Sequence, residues 1–463
     1  MSSKYHKRIL IAILITAIAL RLAAALLLGN SIAETRGGTY DQITYDALAQ
    51  RVVGGYGFTF ASDWWPYVRA GQPTAFWSYL YTLYLALIYS LAGHQPLLAR
   101  VIQAILVGLA MPWLTYRIGK RIFGTGPALI AAAINAAYLY FITYAASLMT
   151  EAFYIAGILW IVDVAMRLTE AFSNSQATGR HETAPQLRLG IELGLAMGMT
   201  LLMRQVISGF LVVLAFWFFW LAWRKHWLRQ ALGPLAVAAV VMVVINLPFI
   251  ARNYRLFGAI IMPNTNVGIN FFWANHPIYG TQFEPVLSPS HGVSYQELIP
   301  PELRDLNEAQ LDKALLARGL QFVAEDPGRY LLLSLSRVPI YFQFWPTPQS
   351  TLLSNVARLL SFGLFLPFIV YGLVVAIRAA RPSGPLRSPP AAQGDTSDLR
   401  LAFLVLVLLF ITVYTAIHLA SWANVRYRLP VDAFLILFAG YGLEHLLRHL
   451  IEWKSRRQAL PQL

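Results

Sequence analysis

Gly37-Gly38-Thr39-Tyr40-Asp41-Gln42-Ile43-Thr44-Tyr45-Asp46-Ala47-Leu48-Ala49 lies within residues 30–77, a polar and aromatic-rich stretch between a first long apolar run and a second apolar block. Carboxylates just outside a membrane helix are scarce in a chain this hydrophobic and usually have a task. Asp41 and Tyr45 stand four residues apart, so a helix here carries both on one face. With that stretch as an outer rim, the apolar runs on either side become membrane helices.

Composition agrees. Of 463 residues, 57% are hydrophobic and 13% charged, and the mean hydropathy is +0.54. A soluble domain carries about 25% charge, so the expected class is an all-α polytopic membrane protein. The net charge of +14 is accounted for by basic clusters that alternate with apolar runs. These are Lys4, Lys7 and Arg8; Arg117, Lys120 and Arg121; Arg224, Lys225 and Arg229; Arg378, Arg381 and Arg387; and Arg448, Lys454, Arg456 and Arg457. That alternation follows the positive-inside rule and argues against nucleic acid as a partner. Without cysteine, disulfides and thiolate metal sites are excluded. The first run, Ile9 to Leu28, starts like a signal peptide but is long enough to cross, and reads as an uncleaved anchor.

A span needs about 20 apolar residues. Length and basic clusters together predict ten, at 9–28, 98–117, 127–147, 152–168, 188–203, 206–223, 231–250, 354–378, 400–420 and 429–447, with both termini cytoplasmic. The blocks at 76–92 and 330–344 are short, and counting either as a span would move a basic cluster outside. They read as helices lying in the outer interface, with Trp and Tyr at headgroup level; the alternative is two ordinary spans that break the charge rule. The chain then forms one transmembrane domain, 1–463. Residues 29–97 and 251–353 form the two long outer segments. Residues 169–187 and 379–399 read as flexible cytoplasmic linkers. No Walker loop or dinucleotide fingerprint is present.

Sorting polar residues by side gathers one constellation outside. Its carboxylates are Asp41, Asp46 and Glu151; its cations are Arg204, Arg252, Arg255, Arg426 and Arg428. Each arginine ends a span, where a guanidinium can grip a phosphate through paired hydrogen bonds. The competing reading is that they snorkel to lipid phosphates. Function is favoured for Arg204, which interrupts Leu201-Leu202-Met203-Arg204-Gln205-Val206-Ile207, and for Arg426 and Arg428, which flank Tyr427. Asp41 reads equally as a helix cap. Asp46 reads as a supporting or solvated group, and Glu151 as a helix-start acid that also suits the dipole. Arg21, inside the first span, calls for a structural partner. His94, His276, His291 and His418 show no metal-ligand spacing, so a divalent metal is possible but unsupported and no cofactor is assigned. The Trp64-Trp65 pair and Phe271-Phe272-Trp273 read as an interfacial belt rather than as sugar platforms.

Several short motifs follow one another along the chain. They are Asp41-x-x-x-Tyr45-x-x-x-Ala49, Gly54-Gly55-Tyr56-Gly57-Phe58, Gln72-Pro73, and Ala99-Arg100 opening a span that ends Arg117 to Gly124. Thr150-Glu151, Pro248 to Gly258 with Arg252-Asn253-Tyr254, Asn266-x-Gly268, and Arg426-Tyr427-Arg428-Leu429-Pro430 complete the series. In order and topology they resemble the GT-C class of polytopic glycosyltransferases, in particular bacterial relatives of the protein O-mannosyltransferases and the lipid A aminoarabinose transferases. The resemblance implies a GT-C-type bundle, a polyprenyl-phosphate sugar donor such as an undecaprenyl phosphate, and Asp41 at the position of the family's catalytic carboxylate. Many relatives have Lys where this chain has Gln72, which shifts donor-phosphate binding onto Arg69, Arg204, Arg426 and Arg428.

The expected reaction is an inverting displacement, with Asp41 as base, Glu151 or Asp46 in support, and Tyr45, Arg252, Asn253 and Tyr427 lining the substrate. The acceptor would be a hydroxyl on a lipid, protein or glycan, met at the periplasmic face of a plasma membrane. A lipid-linked-sugar flippase and a polysaccharide polymerase are the rival readings. Transporters place ionisable groups near mid-membrane rather than at the rim.

Overall fold

The chain is described here by a computed structural model covering residues 3–32, 40–64, 68–178, 183–348, 350–380 and 394–458. Trp65, Gly37 to Thr39, Arg381 and Arg387 lie outside the described residues. The first half consists of α1 (Ser3–Leu28), α2 (Asp41–Val53), α3 (Tyr79–Ala92), α4 (Pro96–Phe123), α5 (Thr125–Ala137), α6 (Leu139–Ala146), α7 (Glu151–Thr178) and α8 (Thr183–Met203). The second half adds α9 (Ser208–Arg224), α10 (Leu228–Phe257), α11 (Val267–Asn275), α12 (Glu308–Glu325), α13 (Pro327–Tyr341), α14 (Leu352–Arg358), α15 (Leu364–Ala379), α16 (Gly394–Ala420) and α17 (Val425–Gln458). Among the described residues there is no strand, only two isolated bridges, Thr59 with Pro73 and Trp64 with Val68.

Among the described residues, eight helices are long and apolar enough to cross a membrane, and a ninth crossing arises if α5 and α6, bent by 50° at Tyr138, count as one. The protein is a multi-pass membrane protein. The tenth expected span, 188–203, is α8, whose first turns carry Gln186, Arg188 and Glu192 and so fall short by composition. It is nevertheless packed along its length. A Cβ on Gly190 would lie 2.4 Å from the Pro234 carbonyl, one on Gly194 2.5 Å from that of Ala238, and one on Gly198 3.0 Å from Ile245. Small residues at this four-residue spacing let two membrane helices approach backbone to backbone. The same device joins α15 to α17, where a Cβ on Gly372 would lie 1.9 Å from the Phe438 carbonyl.

Two expectations need correction. The helix expected at 152–168 runs from Glu151 to Thr178, 28 residues and about 42 Å, longer than a hydrocarbon core of about 30 Å. It therefore takes up half of the linker expected at 169–187, and α8 takes up the rest from Thr183. By contrast, α3 and α13 have 14 and 15 residues, roughly 21–23 Å, shorter than a hydrocarbon core of about 30 Å.

Sequence chemistry explains the breaks. Between α14 and α15 the helix widens into a π turn, Leu359–Gly363, directly before Pro367, whose ring would press on the carbonyl four residues back. The α5–α6 bend leaves end-of-helix carbonyls unpaired, and Arg21 uses them. It donates to the carbonyls of Asn135 (3.2 Å), Ala136 (3.1 Å) and Ala17 (3.1 Å), with no carboxylate partner among the described residues. Near the middle of α7, Asp163 is fully buried and takes Arg117, Arg121 and Arg167 at 2.9–3.1 Å. Glu170 and Glu192 complete that network, so arginines that read as topology signals also tie α4, α7 and α8 together.

Candidate active site

Four chain breaks meet at one place. Asp41 is the first residue of α2, Glu151 opens α7, Arg204 is the extended residue after α8, and Arg426 is the second residue of α17. Arg426 Nη1 donates to Asp41 Oδ2 at 2.6 Å, and its Nε lies 3.2 Å from Glu151 Oε1. Arg204 Nη2 donates to the same Glu151 oxygen at 2.6 Å, and its Nε to Thr150 Oγ1 at 2.9 Å. Both guanidiniums lie over the Tyr427 ring, Arg426 at 5.2 Å and Arg204 at 5.6 Å from its centre. The two acids sit at helix N-termini, where the backbone dipole favours negative charge. Side-chain exposure rises from 2% at Glu151 through 13% at Arg426 and 18% at Asp41 to 20% at Arg204. The cluster is therefore sunk, with Glu151 innermost and Asp41 and Arg204 partly exposed. Asp41 is not the helix cap: Tyr40 holds that position with no side-chain cap bond. Glu151 Oε2 is buried without a partner, an expensive state unless something else supplies a donor.

Tyr45 packs edge-on against Trp77 and Tyr81, at 5.8 and 5.0 Å. Burial, with the Asp41 charge adding to it, pushes its hydroxyl well above the ordinary tyrosine range. It remains a neutral phenol beside the cluster.

The structure places the other predicted residues elsewhere. Asp46 bridges α2 to α3, accepting from Tyr89 Oη at 2.6 Å and Gln50 Nε2 at 2.7 Å and meeting His94 Nε2 at 2.8 Å. Arg69 is exposed and pairs with Asp305 at 3.3 Å. Arg252 donates to Tyr79 Oη at 2.7 Å and to the Thr74 carbonyl at 3.2 Å. Asn253 is fully buried between Tyr79 Oη and the Pro263 carbonyl. Arg428 is also fully buried, held by Asp432 at 2.9 Å and the Tyr341 carbonyl at 2.8 Å. The pairing of Arg426 with Arg428 around one ligand fails because helix positions two apart point to opposite sides.

Sequence reasoning missed the stitching around the site. Arg100, fully buried, donates to the carbonyls of Gly29 (2.5 Å), Ser31 (2.7 Å) and Ala146 (3.0 Å) and to Gln42 Oε1 (3.2 Å), fixing the start of α2. Asn264 Nδ2 donates to the carbonyls of Ala75 (3.0 Å) and Trp77 (2.8 Å), while Glu308 accepts from Ala75 N at 2.7 Å and from Thr265 Oγ1. These bonds clamp residues 263–308 to the strand-like stretch before α3. The signals were Ala99-Arg100 and Asn266-x-Gly268: a Cβ on Gly268 would lie 1.7 Å from the Asp312 carbonyl, so α11 and α12 touch there. Among the described residues, no three His, Asp or Glu side chains converge as metal ligands.

No protein-family model matches the chain, and no curated protein matches its sequence. Solved structures do match its shape. The archaeal oligosaccharyltransferase AglB from Archaeoglobus fulgidus, solved with an inhibitory peptide and a dolichol-phosphate, superposes with a TM-score of 0.58 at 16% identity. The match covers 99% of this chain and 52% of AglB, so the chain spans about half the length of that enzyme. The same oligosaccharyltransferase tethered to an acceptor peptide gives 0.57 at 14% identity, over 100% of this chain and 52% of that one. ArnT from Cupriavidus metallidurans bound to undecaprenyl phosphate gives 0.40 at 15% identity, over 95% and 78%. At these identities the likeness speaks to fold, and the expectation drawn from the motifs agrees with it: this chain has the GT-C fold of polytopic membrane glycosyltransferases.

Proposed function

We propose that the protein is a glycosyltransferase that moves a sugar from a polyprenyl-phosphate carrier to an acceptor hydroxyl at the outer face of the membrane. One observation carries the reading: two acids and two arginines, far apart in sequence, are gathered on Tyr427 at a half-open rim of a GT-C fold. Arg204 and Arg426 supply the fixed positive charge that a departing lipid phosphate needs, and preorganised charge of this kind is a large catalytic term. As the acceptor oxygen bonds to the anomeric carbon, the bond from that carbon to the phosphate oxygen breaks and its electron pair stays on the phosphate. The acceptor proton passes to Asp41, the more exposed of the two acids, while Glu151 holds both arginines in place. Donor binding draws Arg426 toward the phosphate and frees Asp41 to act as base.

The test is release of polyprenyl phosphate from a panel of polyprenyl-phosphate sugars by purified protein, with a membrane extract as acceptor source. Asp41→Asn should lower turnover by about 10²–10⁴-fold, the usual weight of a general base, with donor binding retained. Turnover within a few-fold of wild type would remove Asp41 as the base.

A further inference from the structure

Beneath the cluster lies a residue that touches none of its charges. His418, on α16, is buried; its Nδ1 donates to the Trp422 carbonyl at 3.1 Å, and its Nε2 is buried without a partner. A hydrogen-bonding site is thus left unused on a ring in the core, which costs about 1–3 kcal/mol. The ring itself is fully engaged. It stacks on Tyr427 at 4.9 Å with 12° between planes, and packs against Tyr414 at 4.9 Å and Tyr341 at 6.1 Å. Tyr427 is the ring over which Arg204 and Arg426 both lie. Among the described residues its hydroxyl receives a single long bond, from Arg426 Nη2 at 3.4 Å. The Tyr427 side chain is therefore located by stacking more than by hydrogen bonding, and among the described residues His418 is the aromatic ring stacked on it.

We infer that His418 is a positioning residue: through its stack on Tyr427 it sets the guanidinium planes of Arg204 and Arg426 toward a lipid phosphate. The planar aromatic form of the side chain matters here and its nitrogens do not, since one is spent on a local carbonyl and the other is unused. A bidentate guanidinium grip depends on orientation. Loss of the stack should thus weaken phosphate recognition while leaving lipid-chain contacts intact. The inference rests on the reading of the cluster as a phosphate site.

The experiment compares binding of a polyprenyl phosphate and of the matching polyprenol to detergent-purified wild type, His418→Phe and His418→Ala. Wild type should prefer the phosphate. His418→Phe, which keeps a stacking ring, should stay within about threefold of it. His418→Ala should lose about tenfold in phosphate affinity and nothing in polyprenol affinity, and unchanged polyprenol binding shows that this variant is folded. If His418→Ala binds the phosphate like wild type, or if His418→Phe is as weak as His418→Ala, the stack is not the positioning element. If wild type itself does not distinguish phosphate from polyprenol, the phosphate-site reading fails and this inference falls with it; only that outcome shows in wild type alone.

Discussion

Single residues divide here into those that face a ligand and those that hold the site, and sequence alone does not separate them. Arg426 and Arg428 look alike on paper; in the fold one reaches Asp41 and Glu151 and the other is locked to Asp432. Replacing one member of a buried ion pair strands its partner, which costs about 3–5 kcal/mol. Asp432→Ala should therefore lower the thermal unfolding midpoint sharply in detergent, whereas Arg426→Gln, which leaves Glu151 still paired with Arg204 and Asp41 partly exposed, should lower it less and raise the donor KM. Asp432 escaped notice because it lies in an apolar run, Pro430-Val431-Asp432-Ala433-Phe434, and because its partner one helical turn earlier, Arg428, was read as a ligand for phosphate instead. Asp41 was legible as a carboxylate in the polar stretch after the first span, and Glu151 as a carboxylate at the turn of an apolar hairpin. Their joint hold on Arg426 spans 385 residues from Asp41 and was not.

Among elements, apolar length was a good guide to the spans and a poor one to α8. Its hold on α10 is written in Gly190, Gly194 and Gly198, a four-residue repeat of small side chains that hydropathy averages away. Gly194→Leu should abolish recovery of folded protein, because its side chain would meet the Ala238 carbonyl. Leu195→Ala, one position on and exposed, should be tolerated. Size-exclusion profiles of the two variants decide this. The helices of the segment 251–353 make a second test. Burial raises the Asp312 carboxyl to about 6, and burial lowers the His276 imidazole to about 4, with Arg329 and Arg318 adding to it. A carboxyl raised on folding stabilises most below its unfolded value, near 4, and loses that advantage as pH climbs through 6. A histidine lowered on folding acts the other way, with full stability above about 6.5 and loss as pH falls toward 4. Protease resistance of this segment, followed from pH 4 to 6.5, should therefore rise more steeply with pH in Asp312→Asn than in wild type, and less steeply in His276→Asn. Identical slopes in all three would show that neither group titrates as its burial implies.

For the whole molecule, composition and alternating basic clusters were enough to read a polytopic helical bundle, and the order of short motifs was enough to read its class. What they could not carry was the division of labour between segments. Arg252 and Asn253 read as substrate-lining residues. In the fold they act, with Glu308, as rivets joining the 251–353 segment to the first outer loop through Tyr79, Thr74 and Ala75. Rivets of this kind are long-range hydrogen bonds between polar loops, and no periodicity announces them.

By itself the cluster is electrically neutral, two acids against two arginines, and this bears on how a catalytic cycle would end. On the proposed reaction the donor enters as a phosphodiester and leaves as a phosphomonoester of charge about −2, while Asp41 holds the proton taken from the acceptor. With the donor bound the site would carry about one net negative charge, and sugar transfer would leave that total unchanged; once the proton escapes, the spent carrier and two bare carboxylates exceed the two arginines by about two charges. On that proposal deprotonation of Asp41 acts as an ejector, and proton escape and lipid departure would set the turnover clock as much as sugar transfer.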